Sequence, residues 1–270
     1  MLGLSDVIPT RQERAMPQRP KPISDLFAFL RRHHNINAEV QRGFITESLS
    51  PPRVEERALL LMHKALQSQS QPNLDLICKF FTDVTDAGAH SSFGAFSSFV
   101  TDHGRYELVD GLRRKDGWGP KTAALFARNL AYIELNPPLK KKFWRDTSVL
   151  EGDNLRLPVD RVITTVFKAL TRRLPEPPAA TFAGINNYLH DQLDYRDHDL
   201  LVWDDLWFWG FITQRSTMGR PREHGWNEAK YWALPHAPKD PVARRRIEVT
   251  SDRFLDLICG QYQPLPYAAS

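Results

Sequence analysis

Apolar residues recur along this chain at intervals of three and four, the period of a helix face, and nowhere alternate over a useful strand length. Leu26, Phe27, Phe29 and Leu30 make the inner side of a first helix, capped by Ser24 or Asp25. A second helix runs from about Pro52 to Gln67 with Val54, Ala58, Leu61, Met62, Ala65 and Leu66 on one face, and Leu74 to Phe81 begins a third. Gly and small residues break 85–104 around one short helix, Phe93 to Val100. Leu108, Val109 and Leu112 share one side of the next, and Ala123, Phe126, Ala127 and Leu130 stripe the helix after it, which ends near Pro137-Pro138. Past a basic segment, Asn136 to Arg156, the pattern predicts helices at Asp160–Leu170, from Thr181 or Ile185 to Leu193, and at Asp199–Gly210, whose aromatic content demands deep packing. Residues 215–247 read as irregular and basic, and 252–260 as a short final helix. The fold class is all-α.

Composition changes this picture little. At 270 residues, 41% hydrophobic and 25% charged, the chain has an ordinary globular balance. No run reaches the length of a membrane span, no signal peptide is expected at the start, and a monomer in the cytoplasm, near the nucleoid, is the reading. Residues 1–22, polar and rich in Pro and basic residues, read as a flexible arm, 23–214 as the helical core and 215–270 as a basic extension. Cys78 and Cys259 lie in apolar runs and are expected as buried free thiols. Nine scattered His residues without ligand spacing give no metal site, and no cofactor is implied.

Charge matters through its distribution. The net charge is only +4, with a pI near 9.1. Yet Arg113, Arg114 and Lys115, then Lys140, Lys141, Lys142 and Arg145, then Arg156, Arg161 and Lys168 concentrate basic residues in the middle of the chain. A solvated face is the plain account of any one run. Their gathering around Gly117-Trp118-Gly119-Pro120-Lys121-Thr122-Ala123 favours a nucleic-acid surface. There Gly117 and Gly119 permit a tight hairpin between two helices, and Pro120 suits a first helical turn. The free amides of such a hairpin suit a phosphate.

This hairpin, followed by Leu157-Pro158-Val159-Asp160-Arg161, resembles the helix-hairpin-helix DNA glycosylase superfamily, in its bifunctional glycosylase and abasic-site lyase branch. The resemblance spans roughly residues 50–210 and is specific mainly at 117–127 and 157–163. It implies a two-lobed helical bundle acting on double-stranded DNA that contains a damaged or modified base. On it, Lys121 is the Schiff-base nucleophile and Asp160 the catalytic carboxylate. Gly117, Trp118, Gly119 and Thr122 contact DNA at the hairpin. Gln67 and Gln69 belong to the stretch from which the family inserts a side chain into the base stack. Lys140, Trp144 and Arg161 complete the expected contacts. Cys78 and Cys259 are too few for the four-cysteine iron–sulfur cluster that some members carry. Lys121 and Asp160 stand 39 residues apart, farther than in endonuclease III and nearer to the divergent archaeal 8-oxoguanine glycosylases, so 139–157 must be an excursion.

The residue types suit the chemistry. An amine attacking an anomeric carbon gives a Schiff base, and a nearby carboxylate stabilises the oxocarbenium-like sugar. Each residue also has a plainer account. Lys121 can hold a phosphate, Asp160 can simply cap a helix, Gln67 and Gln69 can end one, and Phe143 and Trp144 can pack on the core. An oxidised purine is slightly favoured as target. Excision of a modified pyrimidine, including a hypermodified phage base, and non-catalytic DNA binding stay open.

Overall fold

The computed structural model of the chain describes residues 19–152, 155–215 and 222–260. It is 66% helix and 2% strand, an all-α protein.

Helix α1, Lys21–Ser48, is the spine. Its 28 residues span about 42 Å at 1.5 Å per residue. Helices α2 (Val54–Gln67), α6 (Pro120–Glu134), α10 (Asp197–Trp203), α11 (Asp205–Ile212) and α13 (Pro241–Cys259) all pack on it. The apolar pattern marks only its first turns, because Arg31-Arg32-His33-His34-Asn35 looks like a solvated stretch. The buried face instead continues through Asn37, Val40, Gln41 and Ile45, with polar side chains paired inside the protein.

Helices α3 (Leu74–Asp86), α4 (Phe93–Thr101) and α5 (Leu108–Arg113) follow α2, and α5 packs on both α4 and α6. After α7 (Pro137–Lys142) the chain reaches α8 (Arg161–Leu170), which lies against α11 and α13. The α8–α11 approach depends on Gly210: a Cβ there would come within 2.8 Å of Val162 Cγ1 and 3.0 Å of Val166 Cγ2. A short 3₁₀ turn, Thr171–Arg173, leads on to α9 (Phe182–Asn187), which winds into a π-turn, Tyr188–Gln192. A two-residue antiparallel pair, β1 (Gln214–Arg215) and β2 (Glu223–His224), precedes α12 (Glu228–Ala233).

Three expectations change. The aromatic helix predicted over 199–210 is two helices, α10 and α11, with Asp204 at the break between them. The final helix covers 19 residues rather than 252–260, and Ile247, Phe254, Leu255 and Ile258 are buried in the common core. Much of what reads as an extension therefore closes the core. Cys78 and Cys259 are exposed, not buried. On α3 the inward stripe is Ile77, Phe80 and Val84, and Cys78 sits one position around the helix from it. The expected arm lies mostly outside the described residues. Of its described end, Arg19 donates to Leu193 O at 2.9 Å and stacks 3.9 Å above the Tyr195 ring, and Lys21 begins α1. No described helix is long and apolar enough to cross a membrane.

Candidate active site

Helices α5 and α6 pack together, joined by residues 114–119. Gly117 adopts φ +79°, the left-handed region, and the space beside it is closed by Ile77 at 3.0 Å from a hypothetical Cβ, so a side chain is excluded twice over. Gln69 Nε2 donates to Gly117 O at 2.8 Å, which ties the end of α2 to the hairpin. Pro120 starts α6, and Thr122 Oγ1 accepts from Gly119 N at 2.9 Å.

Beyond the hairpin, Lys121 turns into a cleft of about 380 Å³. Five segments wall it: α1 through Gln41, Phe44 and Ile45; the end of α2 through Gln67 and Ser68; α6 through Lys121, Leu125, Arg128 and Asn129; the start of α8 through Pro158 and Asp160; and the α10–α11 break through Asp204 and Trp207. Lys121 and Asp160, far apart in sequence, thus line one cavity.

Asp160 is the N-cap of α8. Its Oδ1 accepts from Val162 N at 2.8 Å and Ile163 N at 3.0 Å, while Oδ2 makes no hydrogen bond among the described residues. One oxygen holds the helix and the other does not. Burial raises its pKa above the usual carboxylate range, opposed by the two cap amides, by Lys121 and by Arg222. Burial likewise lowers Lys121 below an ordinary lysine, with Arg128 adding to the effect and Asp160 opposing it. The Lys121 amine donates to Ser68 O at 2.9 Å and Ser68 Oγ at 2.8 Å. Ser68 Oγ sends its own hydrogen to Ala65 O at 2.7 Å, so it faces the amine as an acceptor. A neutral amine has two hydrogens and one lone pair. In that form Ser68 can hold both hydrogens, and the lone pair meets no donor among the described residues.

The floor carries a buried ion pair. Arg128 Nη1 lies 2.6 Å from Asp204 Oδ2, with side-chain exposures of 8% and 1%. Arg128 Nη2 donates to Asn129 Oδ1 at 2.7 Å. Arg128 Nε and Asp204 Oδ1 are buried without a partner among the described residues. Such atoms are costly in a closed protein.

Gln67, exposed at the end of α2, lines the cleft beside Lys121 and Asp160, and Arg161 is exposed on the first turn of α8. Gln69 works within the fold, on Gly117. Trp118 and Thr122 are not surface contacts. Trp118 is 6% exposed and meets Phe80 and Phe126 edge-on, and Thr122 is 1% exposed with its hydroxyl on Gly119. Trp144 is a correction of the same kind. At 2% exposure it packs on Phe93, Phe96 and Phe143, and its Nε1 donates to His90 O at 3.0 Å. Lys140 spends its amine on Thr147 O at 2.8 Å, within its own loop. Trp144 and Lys140, in a basic run, each place the polar end on a backbone carbonyl, whereas Trp118 is held by its ring contacts alone, its Nε1 buried without a partner among the described residues.

Gln41, Ser68, Arg128, Asn129, Asp204 and Arg222 escape a reading of the sequence by motif. One signal was available for some of them: a polar residue at a helix's apolar period, as Arg128 and Asn129 are in α6 and Asn37 and Gln41 in α1. Among the described residues no group of three or more His, Cys, Asp or Glu is arranged to hold a metal ion. Compared with known protein families, characterised proteins and solved structures, the chain matches none.

Proposed function

We propose that this protein is a DNA glycosylase with abasic-site lyase activity, in which Lys121 is the nucleophile and Asp160 its electrostatic partner. The observation that carries the reading is a half-buried lysine of lowered pKa in the same cleft as a buried carboxylate that keeps one oxygen free of hydrogen bonds among the described residues. A lysine meant only to grip phosphate gains nothing from losing its proton, whereas a nucleophilic lysine requires it.

The base is extruded into the cleft and Gln67, at the rim, is set to enter the stack behind it, offsetting part of the unstacking cost. The Lys121 nitrogen bonds to C1′ of the sugar as the glycosidic C–N bond breaks. The base leaves with the bonding pair and takes up a proton. Asp160 Oδ2 stabilises the positive charge that develops on the sugar. The bound nitrogen then gives up one proton, its lone pair forms the C1′–N double bond as the C1′–O4′ bond breaks, O4′ takes up a proton, and a protonated imine joins Lys121 to C1′. Removal of a C2′ proton from that imine expels the 3′ phosphate and cuts the strand. Gly117, with the exposed Arg113 and Arg161, suits the flanking phosphates, giving affinity that falls with salt and ignores sequence, whereas the Gly119 amide is already held by Thr122 Oγ1. The target is an abnormal base, with an oxidised purine favoured.

Borohydride reduces the imine to a stable amine, so incubating the protein with borohydride and a duplex containing 8-oxoguanine is expected to leave it covalently on DNA. Lys121→Gln should abolish that adduct. An undiminished adduct in the variant would move the nucleophile elsewhere, and no base release from a panel of oxidised-purine and modified-pyrimidine duplexes would leave a DNA-binding protein without this chemistry.

A further inference from the structure

The segment that follows α11 brings two more cations to the start of α8. Gln214, in β1, is wholly buried, and its Nε2 donates to Val162 O at 2.9 Å, on the first turn of α8. Its Oε1 accepts from Arg222 Nη1 at 2.9 Å. That link sets the half-buried Arg222 guanidinium beside the turn that opens with Asp160 and Arg161. Lys230, on α12, is also half-buried. Its Nζ lies 5.0 Å above the Phe211 ring, which stacks at 5.3 Å on Trp207 in the cleft wall.

These cations act on one another and on Asp160. Burial lowers the Arg222 pKa and Arg161 lowers it further, while Asp160 opposes both. Burial and then Arg222 lower Lys230, again with Asp160 opposing. A guanidinium carries five N–H donors, and among the described residues Arg222 engages an acceptor through Nη1 alone. The side-chain donors of Arg161 and Lys230 meet no acceptor among the described residues. Like charges gathered partly out of water cost stability, and a bound anion relieves that cost. Asp160 offsets one of the three charges. The remainder matches a phosphate monoester, nearly a dianion at neutral pH, better than a backbone diester with its single charge.

We propose that Arg222 and Lys230, with Arg161, receive the 3′ phosphate as the strand is cut, and so act as catalytic residues of the elimination step. The proposal rests on Lys121 forming the imine at C1′. From that imine a C2′ proton passes to water, and its bonding pair becomes the C2′–C3′ double bond. The C3′–O bond breaks, and its pair goes to the phosphate oxygen. The phosphate is a diester with one negative charge before this step and a monoester dianion after it. Cations beside it therefore bind more strongly as the bond breaks, and only contacts that strengthen in this way speed a step. They also offset the repulsion between the leaving phosphate and the Asp160 carboxylate. Base release changes no charge on the phosphate, so the two half-reactions separate.

Single-turnover rates would be measured on a duplex with 8-oxoguanine, scoring base release after alkali and strand cleavage without it. A duplex with a preformed abasic site isolates the elimination. In Arg222→Gln and Lys230→Gln, cleavage should fall roughly ten- to a hundredfold, the scale of a lost hydrogen bond to a charged group. Base release should stay near wild type, and Arg222→Lys, which keeps the charge, should recover part of the loss. Lys230→Gln removes no hydrogen bond made by the amine to a described residue, which separates the effect from a loss of fold. A methylphosphonate in place of the phosphate 3′ to the abasic site removes the charge, so wild type and variants should then cut at one rate. The same replacement on the 5′ side should leave their difference intact. Base release and cleavage falling together would overturn the proposal and leave Arg222 a support for the β-pair. A difference that vanishes with the 5′ replacement instead of the 3′ would also overturn it. A wild type that cuts the abasic duplex but frees no base from any lesion ends the glycosylase reading alone, and the abasic duplex still decides this proposal. One that cuts no abasic duplex ends both.

Discussion

In the hairpin, Trp118 turns inward against Phe80 and Phe126 while Lys121 reaches the cleft. In the excursion between residues 139 and 157, Trp144 turns inward against Phe93 and Phe96 while Lys140 closes its own loop through Thr147 O. Both stretches set a tryptophan near lysines among Gly, Pro or basic residues, and in both the ring is core. The difference lies in where the amine ends. Lys121 is desolvated beside a carboxylate in a cavity, and its pKa falls. The excursion is fastened down along its length. Glu134 Oε2 accepts from Val149 N at 2.6 Å, Asp146 accepts from Gly94 N at 2.9 Å, and Asn186 accepts from Leu157 N at 2.6 Å. A basic, aromatic composition therefore separates neither stacking platforms from scaffolding nor cleft-lining lysines from loop closures. The surroundings of the polar end do.

The contrast can be tested from its strongest consequence to its weakest. Asp160→Asn should slow base release by about 10²–10³-fold, the scale of losing one charge-stabilising group at a reacting centre. Melting temperature and duplex affinity should stay near wild type, because Asn caps a helix about as well as Asp. Base release at the wild-type rate in this variant would reduce Asp160 to a cap.

Trp144→Ala should do the reverse. It removes a fully packed ring at a cost of about 3–5 kcal/mol in stability, visible as an early thermal or urea transition. At a temperature where the variant remains folded, borohydride trapping and lesion ranking should match the wild type. A changed ranking without lost stability would put the excursion in the recognition surface after all.

The smallest effect is expected at Ser68. Strand cleavage should rise with pH as Lys121 loses its proton, with a midpoint below the ordinary lysine value of 10.5. On the acid side it should fail at a pH above the usual carboxylate range, where Asp160 takes up a proton. Ser68→Ala removes one acceptor from the amine but leaves the backbone carbonyl. An acceptor favours the ammonium form, so its loss should move the basic midpoint to lower pH while the plateau rate drops several-fold through lost orientation. A pH–rate profile reads both. A midpoint moving up, or a profile that does not change, would remove Ser68 from the positioning of Lys121.

Much of this protein is legible in its sequence because local rules act alone there. The stripes at 54–66, 123–130 and 162–170 recur as buried helix faces, and Gly117 takes the left-handed backbone that the hairpin spacing calls for. Asp160 before an apolar run is a helix cap on the simplest rule, and caps it is. What the tertiary structure alone decided is everything that depends on a partner distant in the chain. The polar stretch 31–37 is helical and partly buried because Asp205, 168 residues from Asn37, accepts its hydrogen bond. Arg128 can sit in an apolar stripe only because Asp204 meets it, 76 residues away. Lys121 and Asp160 become one site because the excursion between them is pinned at Glu134, Asp146 and Asn186. Periodicity reports how a residue relates to its own helix. Burial of a charge is tolerable only when a partner compensates it, and the identity of that partner is a property of the packed molecule.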